Sequence, residues 1–244
     1  MNFPNFLKHS HTSEAIKQRL TEGRRPSLVR DFVYGATDGI VTTFAIVAGV
    51  EGASLQTSAV LILGVANLIA DGFSMAVGNY LGTKAEHEEK KLIEEFERAQ
   101  IEQFPKGERE EVKQIMLAKG FKEPLLDQIV DTITSDKKLW IKTMLADEYG
   151  LTGELRNPLK AAASTFLAFV SFGLLPILPY FFDLQSNFTV ACVLTASGFF
   201  LIGTLKSKWS VESYWRSGIQ TLGMGFAAAI LAYSIAKLLK LYGV

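Results

Sequence analysis

Residues 30–82 read RDFVYGATDGIVTTFAIVAGV, EGASLQTS and AVLILGVANLIADGFSMAVGNYLG, and this stretch decides the fold. The first and third segments are each apolar over about 20 residues, enough for a helix to cross a bilayer core of roughly 30 Å. Each apolar segment nevertheless contains one carboxylate, Asp38 in the first and Asp71 in the second. A charged side chain at mid-membrane costs roughly 2.5–3.5 kcal/mol on insertion scales, so it normally faces a partner or a water-filled path. The stretch therefore predicts two transmembrane helices that line an ion pathway.

The remaining charged residues are strongly segregated along the chain. The 244 residues are 48% hydrophobic and include 25 basic and 25 acidic side chains, averages that also suit a soluble protein. Asp, Glu, Lys and Arg are absent from residues 161–182, 187–205 and 217–236, which predicts three further spans. We therefore predict an all-α polytopic membrane protein with five transmembrane helices and a cytoplasmic helical insert between the second and third. The predicted domains are a cytoplasmic N-terminal segment (1–30), transmembrane helices one and two (31–82), the insert (83–160), and transmembrane helices three to five (161–244).

The orientation prediction comes from the charge at the N-terminal end, where no signal-peptide pattern occurs. Cytoplasmic segments next to spans carry an excess of Lys and Arg. The first 30 residues have such an excess, in Lys8, Lys17, Arg19, Arg24, Arg25 and Arg30. The N-terminus and the insert are therefore both expected in the cytoplasm.

A row of polar and sulfur-bearing residues follows the second span. Asn67, Asp71, Met75 and Asn79 recur every four residues, so they form one slowly turning stripe on a helix. A carboxylate together with a thioether suits a borderline-soft divalent transition metal. The alternatives are ordinary core packing for Met75 and a structural hydrogen bond or cap for Asp38.

Small residues in the same two spans predict close helix contacts. Gly35 and Gly39 are four residues apart, and so are Gly78 and Gly82. This small-xxx-small spacing lets the backbones of two membrane helices approach closely. Both pairs are therefore expected at helix interfaces.

The insert is predicted to contain three or four helices, with its acidic residues concentrated on the first two. Glu94 and Glu97 are three residues apart, as are Glu108 and Glu111, so each pair can share a helix face. Helix bundles commonly build metal sites from inward-facing carboxylates on neighbouring helices. The alternative for each of these acids is a solvated surface charge.

Several functional classes find no support in the sequence. The chain has no Walker loop, GxSxG or HExxH motif, so we predict neither an enzyme nor an ATP-driven pump. No prosthetic group and no nucleic-acid partner is expected, and the single Cys192 excludes a disulfide framework. A membrane-embedded aspartyl hydrolase using Asp38 and Asp71 would need two acids sharing a proton, and the local motifs do not resemble such enzymes.

Two motifs carry a resemblance to a known family. DGIVTTFAIVAGV (38–50) and ADGFSMAVGNYLGTKAE (70–86) resemble the vacuolar iron transporter family, and the likeness covers nearly the whole chain. The resemblance implies proton-coupled export of ferrous iron, and sometimes manganese, from the cytosol. It also implies a homodimer whose two copies line one path, and a cytoplasmic domain that binds several metal ions.

The resemblance assigns roles to individual residues. Its pathway positions match Asp38 and Met75, and its insert ligands match Glu97, Glu108, Glu111, Met144 and Glu148. Three positions depart from the plant pattern: Gln100 replaces a Glu, Leu145 replaces a Met, and Asn67 replaces an acid. We infer that Asp71, one turn after Asn67, takes the place of that missing acid.

Two functions from different classes follow. The first is a transporter that moves ferrous iron, or manganese, out of the cytosol in exchange for protons. The second is a membrane-anchored metal sensor or scaffold that moves nothing, although a mere anchor has no need of Asp71. Lipid, metal ions and protons are the expected partners, in the plasma membrane of a prokaryote or the vacuolar membrane of a eukaryote.

Overall fold

A computed structural model describes residues 10–22, 26–182 and 186–242. Lys8, Arg24 and Arg25, on which part of the orientation prediction rests, lie outside the described residues. Within the described part there is no strand, so the all-α prediction is confirmed. The helices are α1 (Ser13–Glu22), α2 (Val29–Ala53), α3 (Thr57–Gln103), α4 (Pro105–Ala118), α5 (Leu125–Ser135), α6 (Lys137–Asp147), α7 (Pro158–Phe181), α8 (Asn187–Ser207) and α9 (Tyr214–Leu241).

Five of these helices are long and apolar enough to cross a membrane, as predicted, namely α2, α3, α7, α8 and α9. The helix α3 is much longer than a span, because its 47 residues include both the apolar segment and the first acidic stretch of the insert. The predicted domain boundary between residues 82 and 83 therefore falls inside a continuous helix. No proline interrupts this helix, and Gly78 and Gly82 do not break it.

One compact unit contains Pro26–Gly82 and the described residues between 156 and 242. Its central helix is α2, which packs against α7, α8 and α9. The apolar core between these helices includes the fully buried Val47, Phe169 and Ile177. Because α2 is surrounded on several sides, the polar side chains that it carries are held in fixed surroundings.

The contact between α2 and α7 depends on glycine. A Cβ atom at Gly35 would lie 2.3 Å from the carbonyl oxygen of Thr165, and one at Gly39 would lie 2.3 Å from that of Phe169. The close approach predicted for Gly35 and Gly39 is therefore confirmed. At Gly78 and Gly82 a Cβ would meet no atom of the described residues within 4 Å, so close helix contact at this second pair stays a prediction.

Replacing Gly39 with alanine is expected to destabilise the protein, because the new methyl group would collide with the α7 backbone, which cannot rotate away. Overpacking of this kind typically costs about 1–3 kcal/mol. The midpoint of thermal unfolding of the full chain in detergent measures the effect. Gly49→Ala is the matched control, since a Cβ there meets nothing within 4 Å on the same helix. Equal midpoints for the two variants would contradict this account of the helix contact.

The second compact unit contains Thr83–Leu155, which includes the end of α3 and the helices α4, α5 and α6. Its own apolar core includes Val112, Leu126, Val130 and Met144, all of which are buried. Lys113 of α4 joins α5 through ion pairs of 3.1 Å to Glu123 and 3.0 Å to Asp127, the latter at the start of that helix. An independent core explains why this polar segment folds into packed helices.

Candidate metal pathway and acidic cluster

Thr42 of α2 is hydrogen-bonded both to the backbone of Asp38 and to the side chain of Asn67 on α3. The side chain of Asp38 is half-buried in α2. Thr42, one turn later, donates a hydrogen bond of 2.9 Å from Oγ1 to the carbonyl oxygen of Asp38. Asn67 Nδ2 of α3 donates to Thr42 Oγ1 over 3.3 Å. Thr42 therefore links the main chain of Asp38 to the side chain of Asn67, and the Asp38 carboxylate takes no part in these two bonds.

Asp71 and Met75 lie in different surroundings along the same stripe. Asp71 is exposed, as are its apolar neighbours Ile69 and Phe73 at 60% and 63%. Its charge is nevertheless close enough to interact with that of Asp38. Met75 is half-buried against the apolar core, which is compatible with packing as well as with a pathway role. Successive members of a four-residue repeat turn gradually around a helix, so one stripe can meet different surroundings.

A buried ion pair at the start of α2 was missed by the sequence analysis. Asp31 is 3% exposed and pairs with Arg156, which precedes α7. Asn79 Nδ2 of α3 donates 3.0 Å to Asp31 Oδ1 and 2.7 Å to Thr165 Oγ1 of α7. The stripe pattern had singled out Asn79 but not its partners. The only signal in the sequence was the position of Asp31 at the edge of an apolar segment. That position does not indicate which residue pairs with it.

Two glutamates of the insert are buried together. Glu97 of α3 is 1% exposed and Glu108 of α4 is 6% exposed. Tyr149 Oη donates a hydrogen bond of 2.9 Å to Glu97 Oε1. If both glutamates were ionised, Oε2 of each would be buried without a hydrogen-bond partner. A proton on Glu108, donated to Glu97, relieves this arrangement.

The surroundings of these glutamates favour their protonated forms. Burial, together with the negative charges of Glu111, Glu97 and Glu148, raises the pKa of Glu108 to about 7. Burial is also the main cause that raises the pKa of Glu97, followed among the raising effects by the charge of Glu111. The pKa of Glu148 is raised by burial and then by Glu97 and Glu111. These four carboxyls form an acidic cluster, defined here as Glu97, Glu108, Glu111 and Glu148, in which Glu97, Glu108 and Glu148 hold protons more tightly than isolated carboxyls.

The remaining predicted insert residues differ in burial. Met144 is completely buried in the core of the insert, and Gln100 is half-buried. Glu94 does not join the cluster but forms a 3.4 Å ion pair with Arg98 on the helix surface. In the part of the chain that the structure describes, no three or more His, Cys, Asp or Glu side chains form a ready-made metal site. The metal-ligand assignments therefore stay predictions, supported by the electrostatics of the acidic cluster.

The chain matches known proteins over almost its whole length. A sequence model of the VIT family matches residues 29–237. The chain is 34% identical over 225 residues to a vacuolar iron transporter of Toxoplasma gondii, covering 87% of this chain and 74% of the relative. It is 32% identical over 229 residues to vacuolar iron transporter 2 of Oryza sativa subsp. japonica, covering 92% of this chain and 91% of the relative. The chain therefore belongs to the VIT family, whose members named here are transporters rather than enzymes.

Proposed function

We propose that this protein transports ferrous iron out of the cytosol in exchange for protons, and that it also accepts manganese. The observation that supports the proposal best is half-buried Asp38 within an apolar membrane helix, one turn before Thr42, whose hydroxyl is hydrogen-bonded to Asn67 of α3. A membrane carboxylate with polar neighbours is typical of an ion route. The relatives named above are called iron transporters, which supports iron as the substrate.

The exposed side of α3 supports a homodimer. Asp71 lies there beside exposed apolar residues, including Ile62, Ile69 and Phe73. A carboxylate that faces lipid tails is costly, whereas one that faces a second subunit across a hydrated route is not. We therefore place Asp71 beside the path that two copies would share. Met75, on the same stripe, would offer its thioether to the ion.

The acidic cluster of the insert would collect the ion before transport. When Glu97 and Glu108 are both ionised, their buried Oε2 atoms have no hydrogen-bond donor, so a divalent cation that displaced the shared proton would supply the missing partner. Glu111 and Glu148 would add negative charge, and Gln100 would offer a neutral oxygen as a weaker ligand. Met144 would become a ligand only if the core of the insert rearranged, because it is buried.

Proton coupling follows from competition at the carboxyls. Burial favours the protonated form of a carboxyl, whereas a bound cation favours the ionised form. A carboxyl that alternates between a proton and a metal ion can therefore link two opposite fluxes. With the N-terminus and the insert in the cytoplasm, iron would leave the cytosol as protons enter it. The membrane is the plasma membrane in a prokaryote and the vacuolar membrane in a eukaryote.

Transport by the full chain in liposomes tests this function. A trapped ferrous-iron indicator reports uptake into vesicles whose interior is more acidic than the outside solution. We expect uptake that requires the pH gradient, disappears with a protonophore and is inhibited by manganese. Metal binding without uptake would instead indicate the membrane-anchored sensor or scaffold.

A further inference from the structure

A groove between α2 and the end of α8 is lined by none of the proposed pathway residues. Its volume is about 630 Å³, and Arg30, Tyr34, Lys206 and Trp209 are among its lining residues. Tyr34 and Trp209 are exposed at 64% and 51%. Trp and Tyr concentrate where a membrane protein meets the head-group layer. The groove therefore lies where lipid head groups are expected.

Two basic residues, Arg30 and Lys206, are among the residues that line the groove, and the part of the groove beside them is called its mouth here. Among the described residues, neither Arg30 nor Lys206 forms an ion pair with a carboxylate. The nearby acids are engaged elsewhere, since Asp31 pairs with Arg156 and Glu212 lies 3.9 Å from Arg216. Two cations that lack a protein counterion attract an anion to this mouth.

An apolar slot continues from the same groove into the membrane unit. A second cavity of about 120 Å³ shares Val33, Thr37 and Lys206 with the first. It extends between α2, α8 and α9 to apolar side chains that include Phe199 and Met224. The combined shape is a cationic mouth above an apolar slot.

We propose that this groove binds one anionic phospholipid, with its phosphate at Arg30 and Lys206 and part of an acyl chain in the slot. Basic pockets between membrane helices are suited to anionic head groups. A free phosphate would satisfy the two cations but would leave the slot unused. A zwitterionic lipid would fill the slot but would bring its own cation to the mouth. An anionic phospholipid matches both parts.

Native mass spectrometry of the full chain tests the proposal, with phosphatidylglycerol titrated into the protein in neutral detergent. Arg30→Ala with Lys206→Ala is expected to weaken binding by about 30-fold, since each cation near an anionic lipid contributes a few-fold. Lys160→Ala with Lys208→Ala is the matched control, because it removes two exposed cations that do not line the groove. The control should retain the affinity of the parent protein.

Additional variants and ligands in the same experiment distinguish an anionic phospholipid from the other possible occupants of the groove. Arg30→Lys with Lys206→Arg should restore binding, which distinguishes lost charge from a folding defect. Phosphatidylcholine should bind weakly to all variants, and inorganic phosphate should not displace phosphatidylglycerol. Equal losses in both alanine pairs would show unspecific charge attraction and overturn the proposal. Complete displacement of phosphatidylglycerol by inorganic phosphate would overturn the proposal as well. So would the finding that the substitutions of Arg30 and Lys206 change only the amount of lipid-free dimer and leave lipid binding unchanged.

Discussion

Replacing Asp38 with asparagine is expected to reduce ferrous iron uptake into liposomes by more than about tenfold, with no loss of folded protein. The amide keeps the size of the side chain and can still accept a hydrogen bond, but it cannot hold a negative charge. A divalent ion that leaves water needs that charge as compensation within an apolar span. Because asparagine also does not exchange a proton, the remaining uptake should no longer respond to the pH gradient.

The matched control for this prediction lies on the same helix. Glu51 is exposed near the opposite end of α2, so Glu51→Gln removes one carboxylate from α2 without touching the α2–α3 contact. We expect normal uptake from this variant. If Asp38→Asn also transports iron at the parent rate with full pH dependence, Asp38 has no pathway role. In that case the hydrogen-bonded turn with Thr42 is only structural.

Removing two acids from the insert is expected to weaken metal binding strongly. Glu108→Ala with Glu111→Ala removes one buried and one exposed member of the acidic cluster. Loss of supporting or direct ligands commonly lowers metal affinity by about 10–100-fold. Calorimetric titration of the detergent-purified full chain with ferrous iron under anaerobic conditions, or with manganese, measures this loss.

The same titration should depend on pH in a defined direction. The pKa of Glu108 is raised to about 7, so this carboxyl carries a proton over much of the range in which an isolated glutamate is ionised. A metal must displace that proton before it can bind. Affinity should therefore fall by at least about tenfold between about pH 8 and about pH 6, with most of the loss below the pKa of Glu108.

A second pair of glutamates provides the control for the insert. Glu94→Ala with Glu95→Ala removes the same number of charges from α3, where these residues form surface ion pairs with Arg98 and Lys91. Exposed pairs of this kind contribute little energy, so metal affinity and its pH dependence should be unchanged. Equal losses in the two double variants would show that general negative charge attracts the metal, and that the buried pair has no special part.

Prediction from the sequence was most successful for features, such as membrane spans, that a single physical requirement imposes on a whole segment. A bilayer demands about 20 apolar residues per span, so the five spans could be predicted without any knowledge of their packing. The close helix contact at Gly35 and Gly39 could also be predicted from their spacing, because few residues other than glycine are small enough for such close backbone contact. The identical spacing at Gly78 and Gly82 meets no atom of the described residues, so the spacing alone does not say which helix packs against these glycines.

The amino-acid sequence by itself determined the all-helical class, the number of membrane helices and the acidic insert, because hydropathy and helical period are local properties. Only the tertiary structure decided which acids are buried and what they contact. It paired Asp31 with Arg156 across 125 positions of the chain, buried Glu97 and Glu108 together, and left Asp71 exposed. Burial and charge pairing depend on which distant segments pack together, and no local pattern contains that information.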